Sequence, residues 1–252
     1  MKINIYVVTH KVIDDKLPNN YNYILVNANS KDNPYKYGDN TLNNISYKNP
    51  NYCELTAGYW IWKNDKESDI VGLAHYRRLL TTNKFSNNVK SYVNEKNIEK
   101  DLKKYDFIAT KMHKEKTKIK EHILKGNVRI QDLEKLEESI KEVYPDYIDT
   151  FNKVMNSKKS YLLNVMICKK SYFDNYYEWL FNIFDNLEKK VDMTGYNIQE
   201  QRLYGYLSER LFTVYVLKNK FKVKSYPIHT VGSSVMGMIV DKVLLKLGIR
   251  KR

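Results

Sequence analysis

The stretch IVGLAHYRR, Ile70 to Arg78, decides how this chain is read. Ile70 to Ala74 are small or apolar throughout, the pattern of a strand buried on both faces, and such strands belong to parallel sheets covered by helices. A histidine, a tyrosine and two arginines follow at once. Two guanidinium groups at the end of a buried strand suit phosphate oxygens, which they meet with forked hydrogen bonds and a charge that persists at any working pH. A pyrophosphate fits this pair. So does the plainer alternative, in which Arg77 and Arg78 are ion-pair partners within the fold and Tyr76 packs in the core. Alternation along an extended chain puts His75 and Arg77 on one side and Tyr76 and Arg78 on the other, so a single pair meets a ligand unless a turn begins here.

Upstream, INIYVVTH (Ile3 to His10) reads as a buried first strand and YILVNA (Tyr23 to Ala28) as a second, followed by a polar loop from Asn29 to Asn49. Asn49-Pro50 opens a helix in which Tyr52, Leu55, Tyr59 and Trp62 lie at helical spacing. Downstream come a helical segment around Val93 to Lys104, a strand at Tyr105 to Thr110, and a helix from about Asp132 to Tyr144 that stops at Pro145. YLLNVMICKK (Tyr161 to Lys170) is a further buried strand, leading into the aromatic helix from Ser171 to Lys190. The charged run Lys111 to Gly126 reads either as a solvated surface segment or as a lid that orders over substrate. The alternation predicts one α/β domain over residues 1–237, with a mostly parallel central sheet flanked by helices. Ligands bind such sheets where the strands end, which makes neighbours of Thr9, His10, the 39–49 loop, HYRR and Asn164.

Within the loop YGDNTLNNISYKNPNYCELT, the polar residues Asp39, Asn40, Asn43, Asn44 and Asn49 suit the edges of a base or sugar, and equally suit ordinary turns. In QEQRLYGYLSERLF (Gln199 to Phe212), Leu203, Leu207, Leu211 and Val214 form a buried stripe, whereas Arg202, Gly205 and Glu209 share another face. A glycine costs a helix about 1 kcal/mol against alanine, so Gly205 implies that something approaches the backbone there. Glu209 is then either a general base or the salt-bridge partner of Arg202 or Arg210.

The 43 Lys and Arg residues outnumber 29 Asp and Glu, and the net charge of +14 implies an anionic partner: nucleic acid, an acidic membrane surface or a phosphorylated substrate. An AT-rich genome would enrich Lys, Asn, Tyr and Ile without any such partner. No basic-aromatic nucleic-acid module is visible, and the aromatic residues fall inside apolar periods, so no nucleic-acid partner is expected. No window reaches the roughly 18 apolar residues of a membrane span, and MKINIYVVTH lacks a signal-peptide pattern; a cytoplasmic protein is expected. Cys53 and Cys168 are the two cysteines, read as buried thiols and not as a disulfide or metal cage. The terminal stretch MIVDKVLLKLGIRKR, residues 238–252, is basic and amphipathic. It reads as a peripheral helix on an anionic membrane or as a helix packed on its own domain.

IYVVTHK, DNTLNNISYKNPNYCELTAGYWIWKN, GLAHYRR, LNVMICKKSYFDNYYEWLF and GYLSERL, in that order and spanning Lys2 to about Pro227, resemble a bacterial family of capsular or exopolysaccharide synthesis proteins. That family carries the domain of unknown function 4422 and is regarded as a glycosyltransferase family. The resemblance implies a GT-A-like fold and transfer of a sugar from a UDP-sugar, with UDP-galactofuranose one donor candidate, to a glycan or lipid-linked glycan acceptor. In GT-A enzymes an acidic DxD motif after the strand represented by IVGLA commonly holds a divalent metal such as Mn or Mg. HYRR stands in its place here, so the implied site holds the diphosphate with arginine and no metal. By the same mapping Thr9, His10, Asp39, Asn40 and Asn44 approach the nucleoside, Asn164 lies by the donor sugar, and Glu209 is the base of an inverting transfer, oriented by Arg202 or Arg210. The competing class is a noncatalytic membrane-docked polysaccharide assembly protein, which requires neither HYRR nor Glu209.

Overall fold

The β-branched run INIYVVT forms β1 (Ile3–Thr9), and β2 (Tyr21–Leu25) and β3 (Tyr37–Gly38) follow it. Next come α1 (Asn49–Tyr52), α2 (Leu55–Asn64), β4 (Ile70–His75), β5 (Arg78–Leu80) and α3 (Glu95–Asp101). The middle of the chain supplies β6 (Phe107–Thr110), β7 (His113–Lys114), α4 (Ile119–Leu124), α5 (Ile130–Val143) and α6 (Ile148–Met155). The remainder is β8 (Lys159–Ser160), β9 (Met166–Lys169), α7 (Lys170–Glu188), α8 (Leu203–Lys218), β10 (Val223–Tyr226) and β11 (Ile228–Thr230). This is a computed structural model, and it describes residues 1–83, 85–86 and 88–230. The tail expected at residues 238–252 lies outside the described residues.

The sheet runs β10-β6-β9-β4-β1-β2-β3, parallel between β1, β2, β3 and β4 and between β6 and β10. β9 runs antiparallel to both of its neighbours, so the sheet is mixed although mostly parallel. Alternate residues of one strand serve two cores. Tyr6, Val8, Val71 and Leu73 pack under α2, α5, α6, α7 and α8, whereas Ile5, Val7, Ile70 and Ala74 pack against α3 and β5. A central strand buried on both faces therefore reads as a continuous apolar run, as IVGLA does.

Four local expectations change. The chain turns at Tyr76 and Arg77, and His75 pairs with Arg78 across the β4-β5 hairpin. The helix expected to run from Asn49 through Trp62 is broken at Cys53, whose φ of 53° and ψ of −128° cannot continue a helix. The strand expected over Tyr161–Lys170 begins only at Met166, because Leu163 and Asn164 adopt φ of 76° and 49°. The charged 111–126 segment is anchored to the fold: β7 pairs with β8, and Ile119 and Ile123 of α4 join the main core. Charge hid two buried isoleucines one helical turn apart.

Helix α2 is held in place from two directions. Gly58 lets it lie directly on α7, since a Cβ there would stand 2.2 Å from the ring of Tyr177. Asp39 fixes its N-terminal end by accepting the Thr56 hydroxyl at 2.6 Å. Among the described residues, no helix is long and apolar enough to cross a membrane.

Candidate active site

In a sheet where β2 lies on one side of β1 and β4 on the other, the chain ends diverge at the carboxyl edge and leave a crevice between them. A cleft of about 500 Å³ occupies that place. Thr9 and His10 enter it from the end of β1, Val26 follows β2, and His75, Tyr76 and Arg78 come from the β4-β5 turn. The opposite wall is built by Asn49, Pro50, Cys53 and Glu54 around the α1-α2 break, and by Gln201 and Arg202 just before α8 and Glu209 within it. Leu163 forms part of the floor, and Ile198, 79% exposed, stands at the rim.

One side of the cleft is cationic. Arg78 lines it, whereas Arg77 does not and lies over the Tyr76 ring at 5.0 Å. Strict alternation would have paired His75 with Arg77; the turn pairs it with Arg78. His75 Nε2 lies 2.7 Å from the Leu163 carbonyl, an acceptor only, so Nε2 carries the proton. Burial is the first cause that lowers the His10 imidazole below its ordinary value, and Lys31, Arg77, Lys11 and Arg202 push in the same direction. Several cations thus act on His10, although of these only Arg202 lines the cleft.

The other side is acidic. Glu209 Oε1 accepts the Leu163 N–H at 3.0 Å, and Oε2 is paired with Arg210. Burial pushes the Glu209 carboxyl up, while Arg210 opposes the shift and Glu54 adds to it. Arg202 does not orient Glu209. Its Nε donates to Cys53 Sγ at 3.3 Å and its Nη1 to Gln199 Oε1 at 3.4 Å, because the bend before α8 turns it toward the α1-α2 break. Nor does Gly205 leave space for a sugar: a Cβ there would lie 3.1 Å from Cys53 Sγ, so the close approach is made by the protein's own thiol.

The loop residues lie elsewhere. Asp39 is fully buried and accepts from the Asn27 and Ala28 amides, Ser46 and Thr56; it does not line the cleft. Asn44 accepts from the Ser46 amide and donates to the Leu42 carbonyl in a local turn, and Asn40 sits beside Gly38. Neither lines the cleft, so the 39–44 loop shapes the fold around it. Asn164 is buried behind the wall, where Nδ2 reaches both Glu54 Oε1 and Ser208 Oγ at 2.7 Å.

Sequence reading missed Glu54. A continuous helix through Tyr52 and Leu55 puts it on the solvated face, whereas the break at Cys53 turns its carboxylate into the cleft. The available signal was the carboxylate standing immediately before the apolar run of α2, a place where helices start.

The two carboxylates of the cleft are Glu54 and Glu209, the latter committed to Arg210, and no group of three or more His, Cys, Asp or Glu among the described residues converges to hold a metal.

A mixed, mostly parallel sheet with a polar cleft at its switch point defines an α/β fold of the kind found in glycosyltransferases. The family model described as Domain of unknown function (DUF4422) matches residues 4–220, and the chain belongs to that family. The solved structure of the WbbM bifunctional glycosyltransferase in its apo form aligns with a TM-score of 0.84 and 32% identity over 92% of this chain. The alignment covers 46% of the WbbM chain, so the present chain spans less than half of that protein's length. No curated protein matches.

Proposed function

We propose that the chain is a glycosyltransferase that moves a sugar from a nucleotide-diphospho-sugar, UDP-linked and with UDP-galactofuranose among the candidates, to a growing capsular or other cell-surface polysaccharide. The switch-point cleft carries this reading: a volume of about 500 Å³ suits a nucleotide sugar, with Arg78 and His10 on a basic side and Glu54 and Glu209 on the facing wall, which Arg202 shares. The basic side binds the diphosphate and stabilises the charge that grows on it as the sugar leaves. The acidic side receives the acceptor hydroxyl, on the opposite side of the sugar from the leaving diphosphate, so the transfer inverts. A glycan or lipid-linked acceptor at the inner face of the cell membrane reaches the cleft past Ile198. The kinship with a glycosyltransferase fold supports the same class.

Thermal melting with UDP tests the reading. At a concentration 100 times its Kd, UDP should add about 2.7 kcal/mol, a rise of about 5–10 °C for a chain of this size. An unmoved midpoint at millimolar UDP would remove the nucleotide site. Turnover with a UDP-sugar panel then selects the donor, and activity should persist in EDTA.

The lowered His10 value gives this binding a pH signature. A bound diphosphate draws the His10 pKa back up, so complex formation takes up a proton between the free and bound values. UDP affinity therefore rises as pH falls from 8 to 6.5, and the rise is smaller in His10→Asn. Titration calorimetry at the two pH values checks this; identical slopes in both proteins would exclude His10 from the diphosphate site.

A further inference from the structure

Two carboxylates face the cleft, and their hydrogen bonding separates them. Glu209 has both oxygens engaged, Oε1 by the Leu163 amide and Oε2 by Arg210. Arg210 is itself buried, and its Nε has no hydrogen-bond partner among the described residues. Burial alone favours the neutral acid, but protonating Glu209 would also uncouple it from Arg210, a buried guanidinium with no other ion-pair partner among the described residues. Glu209 is thereby fitted to hold Arg210 and the left-handed turn at Leu163 and Asn164.

Glu54 is arranged in the opposite way. Oε1 accepts from Asn164 Nδ2 at 2.7 Å, and that amide also reaches Ser208 Oγ, which donates to the Gly205 carbonyl at 2.8 Å. Oε2 accepts no hydrogen bond from any described residue, although Glu54 lines the cleft. The adjacent Cys53 carries the backbone distortion that aims it, with φ of 53° and ψ of −128° in a non-glycine residue. Conformations of that kind cost about 1–3 kcal/mol and persist where a site requires them. One oxygen anchored and one free, on a side chain held from behind by a buried asparagine, is the geometry a proton acceptor needs.

We infer that Glu54, not Glu209, is the general base of the transfer, and that Asn164 aims it. This rests on the nucleotide-sugar reading above. As the acceptor hydroxyl oxygen forms its bond to the anomeric carbon, the bond from that carbon to the β-phosphate oxygen breaks and its electron pair leaves on UDP. The hydroxyl proton passes to Glu54 Oε2 and from there to water.

The test compares wild type, Glu54→Gln and Glu209→Gln, using UDP-galactose and UDP-galactofuranose as donors and an alkyl galactoside or glycan acceptor. UDP affinity and melting midpoint are read alongside turnover. Glu54→Gln keeps the Asn164 contact but cannot take a proton, and its turnover should fall about 10²- to 10⁴-fold with UDP affinity within about threefold of wild type. Glu209→Gln, which still accepts the Leu163 amide, should lose less than Glu54→Gln. Turnover of Glu54→Gln within about threefold of an active wild type overturns the inference alone, as does a larger loss in Glu209→Gln. A matching collapse of the Glu54→Gln midpoint overturns it too, because it assigns Glu54 to the fold. A wild type that neither binds UDP nor turns over any sugar nucleotide removes the nucleotide-sugar reading and this inference with it.

Discussion

Arg78→Ala should weaken UDP binding about 10- to 100-fold, whereas Arg77→Ala should stay within about threefold of wild type. A hydrogen bond to a charged group contributes about 1.5–3 kcal/mol, and each 1.4 kcal/mol is tenfold in affinity. The two arginines are neighbours in sequence with the same charge, so long-range attraction to a diphosphate acts on both. Direct contact separates them. Arg78 lines the cleft from the first position of β5, and Arg77 is spent on the Tyr76 ring at the tip of the turn. Arg78→Lys should recover part of the loss, since it restores the charge without the guanidinium fork. Titration calorimetry of the four proteins decides the matter, and equal losses for the two alanine variants would mean that bulk charge, and not the cleft wall, holds the nucleotide.

Asp39→Ala should cost about 3–5 kcal/mol of stability and leave UDP affinity of the folded protein within about threefold. Asp39 is wholly buried, and its two oxygens accept from two backbone amides and two hydroxyls, with both hydroxyl contacts at 2.6 Å. Each buried donor left unmade costs about 1–3 kcal/mol, and partial relaxation keeps the total below the simple sum. Asp39→Asn should be milder, because the hydroxyls can reverse their roles toward an amide whereas the backbone N–H groups cannot. Denaturant unfolding gives the stability and calorimetry the affinity. A variant of native stability that no longer binds UDP would restore Asp39 to the nucleoside contact that its sequence position suggests. Turnover, unlike UDP affinity, is expected to fall indirectly through Thr56, since the same carboxylate fixes the end of α2 beside Glu54.

Both outcomes turn on features that periodicity alone does not contain. The break at Cys53 is invisible to it: Tyr52, Leu55, Tyr59 and Trp62 keep helical spacing across a residue at φ of 53°, because the interruption adds a corner without disturbing which side chains are apolar. The pattern places Asn164 in a strand for the same reason, since YLLNVMICKK is apolar on either side of a left-handed turn. Gly205 signals a close approach correctly, but a glycine does not name what approaches, and here it is the thiol of Cys53.

Architecture and the address of the site are written in the order of residues along the chain. Apolar runs such as INIYVVT and IVGLA can be satisfied only as central strands, and a chain that places polar residues directly after them places those residues at one edge of the sheet. Thr9, His10, His75 and the Arg77-Arg78 pair are legible as neighbours on that basis, for local order along a strand survives folding, whereas which arginine lines the cleft is set by the β4-β5 turn. Which carboxylate is free is settled only in three dimensions. Glu54 and Glu209 lie far apart in the chain, and each is an ordinary acidic residue in a helical context. Their difference arises from partners brought by other elements, Leu163 for one and Asn164 for the other. Whether a charged group is spent or available depends on what folding brings within about 3 Å of it, and no pattern along one chain records that distance.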